Sequence, residues 1–333
     1  MKKIVFVSHN IFGYGCLKEI LKNSGDVIAV ITRKYQPSIS DYCDQYNQLC
    51  NKYKIPLYEI DDINDARIKV KLKKLDPDFI FVFGWSQIID KEILGIPKSG
   101  CLGTHPSILP RNRGSAAIPW QILNNEKISA VTLFYLEEGL DCGDIVAQEI
   151  FEVDNDETAD SFYQKVIENG KQIIQKNLHL LLKGETKRTP QNHLLATYLG
   201  RRTPEDGVID WSLDNERIYR LIRAVSKPYP GAYTYYNYKK ITILEAELSR
   251  QTNYCGTIGS ILEKLDDGVL VQTGRGLLKI RRIYVEGEGE FKATDYLKIR
   301  RKFGMNYEDE IVYLRKEIEN LKREVEELRK KQS

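Results

Sequence analysis

The first 190 residues alternate between short, almost continuously apolar runs and segments with the apolar spacing of an α-helix. The apolar runs are Lys3–Val7, Asp26–Thr32, Ile55–Glu59, Phe79–Phe83, Cys101–His105, Ala130–Tyr135 and Ile145–Phe151. Strands that are apolar throughout have both faces buried, which is typical of a parallel sheet with helices on both sides. The pattern therefore predicts an α/β fold, with a Rossmann-like, mostly parallel sheet over residues 1–190.

A change of pattern follows the first domain. A long closing helix is predicted over Thr158–Leu182, and the polar break Gly184–Pro190 marks the predicted boundary. Beyond it, the helical segment Trp211–Val225 precedes short strands that are separated by glycine-containing turns. The predicted strands are Ala232–Tyr236, Lys240–Ala246, Gly256–Leu262, Gly268–Thr273 and Gly276–Ile283. This succession predicts a smaller, β-barrel-like C-terminal domain over residues 191–304.

The last segment, residues 305–333, carries a heptad repeat. Its apolar residues are spaced by three and four, with Lys, Arg and Glu between them: Ile311, Leu314, Ile318, Leu321, Val325 and Leu328. β-Branched residues at the a positions and Leu at the d positions favour a parallel two-stranded coiled coil, and hence a homodimer. Because the heptad repeat is short, the alternative is a terminal helix that lies on its own β-rich domain.

Composition excludes several classes of protein. Lys and Arg number 50 against 47 Asp and Glu, for a net charge of +3, which argues against a protein that coats nucleic acid. No apolar stretch approaches the roughly 20 residues of a membrane-spanning helix, so no membrane association is predicted. The six cysteines have no C-x-x-C pair and no zinc-ligand spacing. We expect reduced thiols in a cytoplasmic protein without a metal.

Two segments contain candidate catalytic side chains. The predicted strand ending at His105 runs into a turn that Pro106 and Pro110 stiffen. The acidic, glycine-rich turn Glu137–Asp144 follows another predicted strand and contains Asp141. In an open α/β sheet, ligands bind beyond the carboxyl ends of the strands, so an imidazole and a carboxylate can reach one site. Taken singly, each is more often a structural histidine or a solvated turn.

Together these residues resemble a known family. The pattern H-x-S-[LI]-L-P-x-x-R-G from His105 to Gly114, followed by G-L-D-x-G-D from Gly139 to Asp144, is similar to the formyltransferase signature. Methionyl-tRNA formyltransferases and nucleotide-sugar N-formyltransferases share that signature. Further along, Arg201–Trp211 and Ile222–Ala232 resemble the UDP-4-amino-4-deoxy-L-arabinose formyltransferases. The resemblance covers roughly residues 1–300 and leaves the heptad segment outside.

The resemblance implies transfer of a formyl group from the co-substrate 10-formyltetrahydrofolate to an amine, without a metal. His105 can stabilise the oxyanion that develops on the formyl oxygen. Asp141 can orient the imidazole or accept the amine proton. By the same resemblance the folate contacts Phe83, Gly84, Trp85, Ile88, Leu136, Gly139 and Leu140. Phe83 and Trp85 have ordinary core aromatics as their alternative interpretation.

The acceptor site is expected to recognise a nucleotide. Arg111 and Arg113 lie on the proline-rich turn, where guanidinium groups can meet a pyrophosphate, although loop arginines are commonly just solvated. The full set predicted to bind the nucleotide sugar is Asn10, Arg111, Arg113, Arg201, Arg202 and Tyr229.

One residue departs from the family pattern. The family has Asn-x-His where this sequence has Gly103-Thr104-His105, and glycine cannot hold the reacting groups. Asn10, Ser86 or a bound water could fill the gap. Loss of one oxyanion donor costs about 10²–10³ in rate, so a slow enzyme or a catalytically impaired, ligand-binding relative are both open.

The predicted acceptor is a UDP- or dTDP-linked 4-amino-deoxy sugar used for surface polysaccharide, such as lipopolysaccharide O-antigen. Methionyl-tRNA formylation is the main alternative, and it would favour a strongly basic second domain. Here the basic stretches Arg281-Arg282 and Arg300–Lys302 are offset by acidic residues nearby in the sequence, among them Asp266 and Asp267.

Overall fold

The computed structural model of the protein describes residues 2–34, 42–251, 253–304 and 307–332. Of the predicted C-terminal tail, residues 305, 306 and 333 lie outside the described part. The chain divides into two compact units, and each is built around its own sheet.

The division between the units differs from the predicted boundary after residue 190. The first unit extends to Thr203 and also includes Arg223–Tyr229, while the chain from Pro230 onward belongs to the second. Residues 191–203 stay with the first unit because Tyr198–Leu199 pairs with a strand there. Pairing between segments so far apart in sequence leaves no local signal.

The first unit contains a mixed seven-stranded sheet and one two-stranded ladder. Its strands are β1 (Lys3–Val7), β2 (Asp26–Arg33), β3 (Leu57–Ile60), β4 (Phe79–Val82), β5 (Gly100–His105), β6 (Arg113–Gly114), β7 (Ile128–Tyr135), β8 (Ile145–Glu152) and β9 (Tyr198–Leu199). The order in the sheet is β3-β2-β1-β4-β5-β7-β8, and β6 pairs with β9. Strands β1 to β5 are parallel, whereas β7 and β8 are antiparallel. The predicted Rossmann-like, mostly parallel sheet is confirmed.

Helices cover this sheet. They are α1 (Ile11–Lys22), α2 (Cys43–Tyr53), α3 (Ala66–Leu75), α4 (Lys91–Leu94), α5 (Ala117–Leu123) and α6 (Ala159–Lys183). Helix α6 begins at a capping box of Thr158 with Ser161 and ends at Gly184, whose φ of 76° suits glycine. It packs against α1, β7 and β8. Helices α2 and α5 were not predicted, because α2 is largely polar and α5 is short and contains Pro119.

The core explains why functional side chains gather at one edge of the sheet. Strands β1 and β4 lie in its middle, and Val5, Val7 and Ile80 have no exposed surface. The parallel strands β1, β4 and β5 therefore end at the same edge. The segments that follow them place Asn10, Gly84 and His105 there.

The second unit is built on an antiparallel sheet. Its elements are α7 (Asn215–Ala224), β10 (Ala232–Tyr236), β11 (Lys239–Leu248), β12 (Ile261–Leu265), β13 (Gly268–Gln272), β14 (Leu277–Val285), β15 (Gly289–Lys292), α8 (Ala293–Tyr296) and α9 (Tyr307–Gln332). The strand order is β10-β11-β14-β13-β12, with β15 beside β14. The strand predicted over Gly256–Leu262 begins only at Ile261, because the backbone before it turns at Gly259, where φ is 81°. Among the described helices, none is long and apolar enough to cross a membrane.

Candidate active site

His105 ends β5 as a buried side chain, 6% exposed. Its Nε2 lies 2.7 Å from the carbonyl oxygen of Asn112, and because a carbonyl only accepts, Nε2 must carry a proton. The other ring nitrogen, Nδ1, lies 3.6 Å from Asp141 Oδ2. That separation is too long for a hydrogen bond. The imidazole is thus anchored through Nε2, and Nδ1 is the nitrogen left for chemistry beside a carboxylate.

Asp141 reaches this position from the turn after β7. Its φ is 48°, a left-handed conformation that Asp tolerates better than most residues. The backbone N–H of Gly114 donates to Asp141 Oδ2 over 2.8 Å. Gly139, with a φ of 120°, precedes it, and a Cβ there would lie 2.7 Å from Cys142 Sγ. Gly139 therefore shapes the turn that presents the carboxylate.

The loop between β5 and β6, residues 106–112, is fixed by polar side chains from several elements. Thr132 Oγ1 donates to Ser107 O over 2.6 Å, and Gln148 Nε2 donates to Leu109 O over 3.0 Å. Gln121 Nε2 donates to Pro106 O over 2.7 Å. With these backbone groups satisfied, the loop holds Asn112 O, and through it the imidazole, in one place.

Gln191, which was not predicted as a site residue, connects the turn of Asp141 to Arg113 on β6. Its side-chain amide donates to Asp141 O over 2.9 Å and to Gly143 O over 2.7 Å. Its Oε1 accepts from Arg113 Nη2 over 2.6 Å. Gln191 therefore joins the turn of Asp141 to the strand that follows the His105 loop. A glutamine in a polar segment gives no sequence signal of such a role.

Arg113 requires a correction. It was predicted to meet a pyrophosphate, but it is 1% exposed. Besides the contacts with Gln191, its guanidinium donates to Tyr198 Oη over 3.3 Å and lies 3.3 Å from His193 Nδ1. Because its guanidinium is buried against Gln191, Tyr198 and His193, Arg113 supports the site instead of facing a phosphate.

Asn10 and Gly84 contact each other. Asn10 Oδ1 accepts from Gly13 N over 3.0 Å and caps α1, while its Nδ2 donates to Gly84 O over 3.0 Å. A Cβ on Gly84 would lie 2.5 Å from the Asn10 side chain. Both polar atoms of the Asn10 side chain thus have partners within the chain, and its contact with the nucleotide sugar stays a prediction. Gly84 permits the close approach of Asn10, and its contact with folate also stays a prediction.

Gly103 faces a side chain that fills the space beside it. A Cβ at this position would lie 2.5 Å from Leu136 Cδ2 and 3.4 Å from a ring carbon of Phe134. Leu136 therefore lies where a side chain on residue 103 would begin. Ser86, the other predicted substitute for the family Asn, is exposed, and its Oγ accepts from Arg33 Nη1 over 3.3 Å.

The predicted folate residues separate into two groups. Phe83 is fully buried and stacks on Phe81 with ring centroids 5.5 Å apart, so its ring is a core aromatic, as in the alternative interpretation. Trp85 and Leu136 are partly buried at the edge of one core cluster. The exposed apolar residues are Ile88 and Leu140. These four remain predictions.

The remaining acceptor candidates keep accessible surface. Arg111 and Arg201 are exposed. Arg202 lies over the ring of Trp120 at 4.8 Å, and Trp120 Nε1 donates to Gly200 O over 2.8 Å. Burial raises the pKa of Tyr229 to about 12, so its phenol stays protonated at neutral pH and can donate.

The described part of the chain offers neither a reactive thiolate among the buried cysteines Cys50 and Cys101 nor a cluster of metal ligands. Burial raises the pKa of Cys50 to about 11 and that of Cys101 to about 12, so neither forms a thiolate nucleophile at neutral pH. None of the six cysteines forms a disulfide. Within the described residues, no group of three or more His, Cys, Asp or Glu could hold a metal ion.

Comparisons with known proteins match both parts of the chain. The model described as formyl transferase matches residues 1–178, and the model of the formyl transferase C-terminal domain matches residues 201–301. The methionyl-tRNA formyltransferase of Alkaliphilus oremlandii is 32% identical over 303 residues, 89% of this chain and 96% of that protein. That of Desulforamulus reducens is 30% identical over 299 residues, 89% of this chain and 94% of that protein.

Solved structures share the fold at lower identity. WlaRD, a sugar 3N-formyl transferase crystallised with dTDP and 5-N-formyl-THF, has a TM-score of 0.63 at 23% identity and covers 86% of this chain and 99% of its own. The Helicobacter canadensis N-formyltransferase, in complex with folinic acid and dTDP-3-aminofucose, has a TM-score of 0.64 at 22% identity and covers 84% and 99%. By both of its matched domains and by its curated relatives, the chain belongs to the formyl transferase family of folate-dependent one-carbon transferases.

Proposed function

We propose that the protein transfers a formyl group from 10-formyltetrahydrofolate to the amino group of a nucleotide-linked 4-amino-deoxy sugar, with UDP or dTDP as the nucleotide. The observation that carries the transfer chemistry is the pairing of His105 Nδ1 with Asp141 Oδ2 at 3.6 Å. His105 ends the parallel strand β5, and the turn after the antiparallel strand β7 brings the Asp141 carboxylate to it.

The mechanism assigns one task to each group. The amine attacks the formyl carbon, and the carbonyl electrons move to oxygen. His105, held at Nε2 by Asn112 O, presents a proton on Nδ1 to that oxyanion. Asp141 stabilises the imidazolium and accepts the proton that the amine loses. When the oxygen re-forms its double bond, the bond to tetrahydrofolate N10 breaks, and that nitrogen takes up the proton that Asp141 accepted from the amine.

The acceptor assignment rests on the charge of the second unit. Its basic residues Arg281 and Arg282 have carboxylate partners: Arg281 Nη2 lies 2.6 Å from Asp267 and 3.2 Å from Glu247, and Arg282 Nη2 lies 2.5 Å from Glu290. Cations that are already neutralised release few counterions on meeting a phosphate backbone, so the pairing of these two arginines supports a small acceptor over tRNA. The exposed Arg111 and Arg201 and the Arg202–Trp120 stack offer charge and a flat surface for one nucleotide.

Methionyl-tRNA formylation is the second candidate. It is favoured by the identity of 30–32% with curated methionyl-tRNA formyltransferases over 89% of this chain. A catalytically impaired, ligand-binding relative is the third candidate, because Gly103 brings no amide to the reacting groups.

The test is a panel assay with the purified chain and 10-formyltetrahydrofolate. Acceptors are UDP- and dTDP-linked 4-amino sugars, dTDP-linked 3-amino sugars and methionyl-tRNA. Folate absorbance reports turnover, and mass spectrometry identifies the formylated product. Formylation of a UDP- or dTDP-linked 4-amino sugar supports the proposal, and turnover with methionyl-tRNA alone reassigns the enzyme. A folded protein that turns over none of them is the outcome expected of the impaired relative.

The proposed setting follows from the substrates. Nucleotide-linked sugars and reduced folates are cytoplasmic metabolites, and six cysteines without a disulfide agree with a reducing compartment. We place the enzyme, as a homodimer, in the cytoplasm, where the formylated sugar would enter synthesis of a surface polysaccharide such as O-antigen.

A further inference from the structure

Helix α9 is an addition to the family domains. The C-terminal family match ends at residue 301, and α9 runs from Tyr307 to Gln332. At 1.5 Å per residue, a helix of 26 residues is about 39 Å long. Apolar side chains recur along it with heptad spacing, at Ile311, Leu314, Ile318, Leu321, Val325 and Leu328. We call these six residues the seam.

No other part of the chain that the structure describes covers the seam. Its six side chains are 47–59% exposed. An exposed Ile, Leu and Val stripe of this length is unfavourable in water and marks an interaction surface. Contact of α9 with its own β-rich domain therefore leaves the seam uncovered.

Contact between α9 and its own unit uses another face of the helix. The ring of Tyr313 stacks on that of Tyr238, with centroids 6.2 Å apart. With Ile311 at a and Leu314 at d, Tyr313 occupies a c position, well away from the seam around the helix. The unit can thus hold α9 while the seam faces outward.

Charges beside the seam select the partner and its direction. Glu317 and Glu324 occupy g positions, and Lys322 and Arg329 occupy e positions. In a parallel coiled coil, each g residue meets the e residue five positions later on the other helix, so both glutamates would meet cations. In an antiparallel pair, g meets g and e meets e, which brings like charges together. The pattern complements itself in one orientation only.

We propose that α9 binds a second copy of this chain as a parallel, in-register, two-stranded coiled coil. Ile or Val at a with Leu at d favours two strands. Glu317 would pair with Lys322 of the partner subunit, and Glu324 with Arg329 of the partner subunit. Because the seam is short, the dimer should dissociate on dilution.

The first test measures the mass of the full chain by light scattering and sedimentation over a concentration series. The wild type should be a dimer that dissociates on dilution. Leu321→Lys, which places a charge in the seam, should give a monomer at every concentration. Val312→Lys, on the outer face, is the matched control and should remain dimeric. A monomeric wild type, a trimer, or a dimeric L321K variant would overturn the proposal.

The second test addresses direction. In a Cys255→Ser background, Leu328→Cys places a thiol at a d position, where the two copies of residue 328 face each other only in a parallel pair. Oxidation should crosslink most of the chain, whereas Lys316→Cys on the outer face should not crosslink. If L328C and K316C crosslink equally, the parallel arrangement is refuted. Neither test depends on enzymatic activity, so the outcome is separate from that of the acceptor assay.

Discussion

The His105 loop and the arginines predicted to meet the acceptor differ in how firmly the protein holds them. Backbone groups of the loop accept hydrogen bonds from Thr132, Gln148 and Gln121. Arg111 and Arg201, by contrast, extend exposed side chains. Rigid, fully bonded groups are suited to stabilising a transition state, whereas exposed cations suit ligand capture. We therefore expect changes in the first set to act on kcat and changes in the second to act on KM.

The largest effect is expected from His105→Ala. Removing the imidazole takes away the proton presented to the oxyanion, and kcat should fall by at least about 10²–10³-fold. KM for the nucleotide sugar should change little, because binding relies on other residues. Initial rates of tetrahydrofolate formation measure both. His179→Ala, on the exposed side of α6, is the matched control, and a rate for H105A close to that of H179A would remove His105 from the mechanism.

Gln191→Ala, like changes in the His105 loop, should act on kcat. It removes the side-chain donor to Asp141 O and Gly143 O and takes one of three partners from the buried Arg113, at a cost of about 1–3 kcal/mol in the free energy of unfolding. The turn that carries Asp141 loses its support, so kcat should fall about tenfold or more while KM is unchanged. Gln191→Glu keeps an acceptor for Arg113 but loses both donated bonds, so it should recover stability more than kcat.

Denaturant unfolding and steady-state kinetics together decide the role of Gln191. The exposed Gln251→Ala provides the control. If Q191A lowered the free energy of unfolding and left kcat intact, Gln191 would be structural only.

Gly103→Asn tests what occupies the family position. A side chain there collides with Leu136 Cδ2, 2.5 Å from the new Cβ, and should lower the free energy of unfolding by about 1–3 kcal/mol. The double variant G103N/L136A removes the obstacle and should recover most of that loss. Thermal unfolding gives the comparison. Equal destabilisation in the single and double variants would mean that Leu136 is not the obstacle.

The smallest effect is expected on KM, from changes in the exposed arginines predicted to meet the acceptor. Arg111→Ala and Arg201→Ala each remove an exposed charge, a contribution of about 1 kcal/mol to phosphate binding, or about a fivefold rise in KM. kcat should stay constant. Arg250→Ala, an exposed arginine of the second unit, is the control. A fall in kcat at constant KM would contradict the separation between the two sets.

The sequence was informative where a local pattern reports a local environment. Apolar runs located the parallel strands, and the end of β5 located His105 at the edge where they end. The approach of Asp141 to His105 did not follow from strand ends, because β7 runs antiparallel to β5 and its last residue, Tyr135, pairs with Leu102, toward the start of β5. The partners of Arg113 and Asn10 were not predictable because they come from elsewhere: Gln191 and Tyr198 lie far along the chain from Arg113, and Gly84 follows another strand. An aromatic residue at a strand end, such as Phe83, is indistinguishable in sequence from one packed on Phe81. Whether such a side chain is buried depends on contacts with segments far away in the sequence, which a local pattern does not report.

The central claim, formyl transfer to a sugar amine at the His105–Asp141 pair, is tested most directly by competition. One reaction combines the wild-type protein with limiting 10-formyltetrahydrofolate that carries ¹⁴C in its formyl group. The acceptors are an equimolar mixture of UDP-linked 4-amino sugar, dTDP-linked 4-amino sugar and methionyl-tRNA, and the label is traced to its product. The account predicts that the label enters a nucleotide sugar in the wild type and stays on folate in H105A. Label in methionyl-tRNA alone, or transfer that survives in H105A, would contradict it.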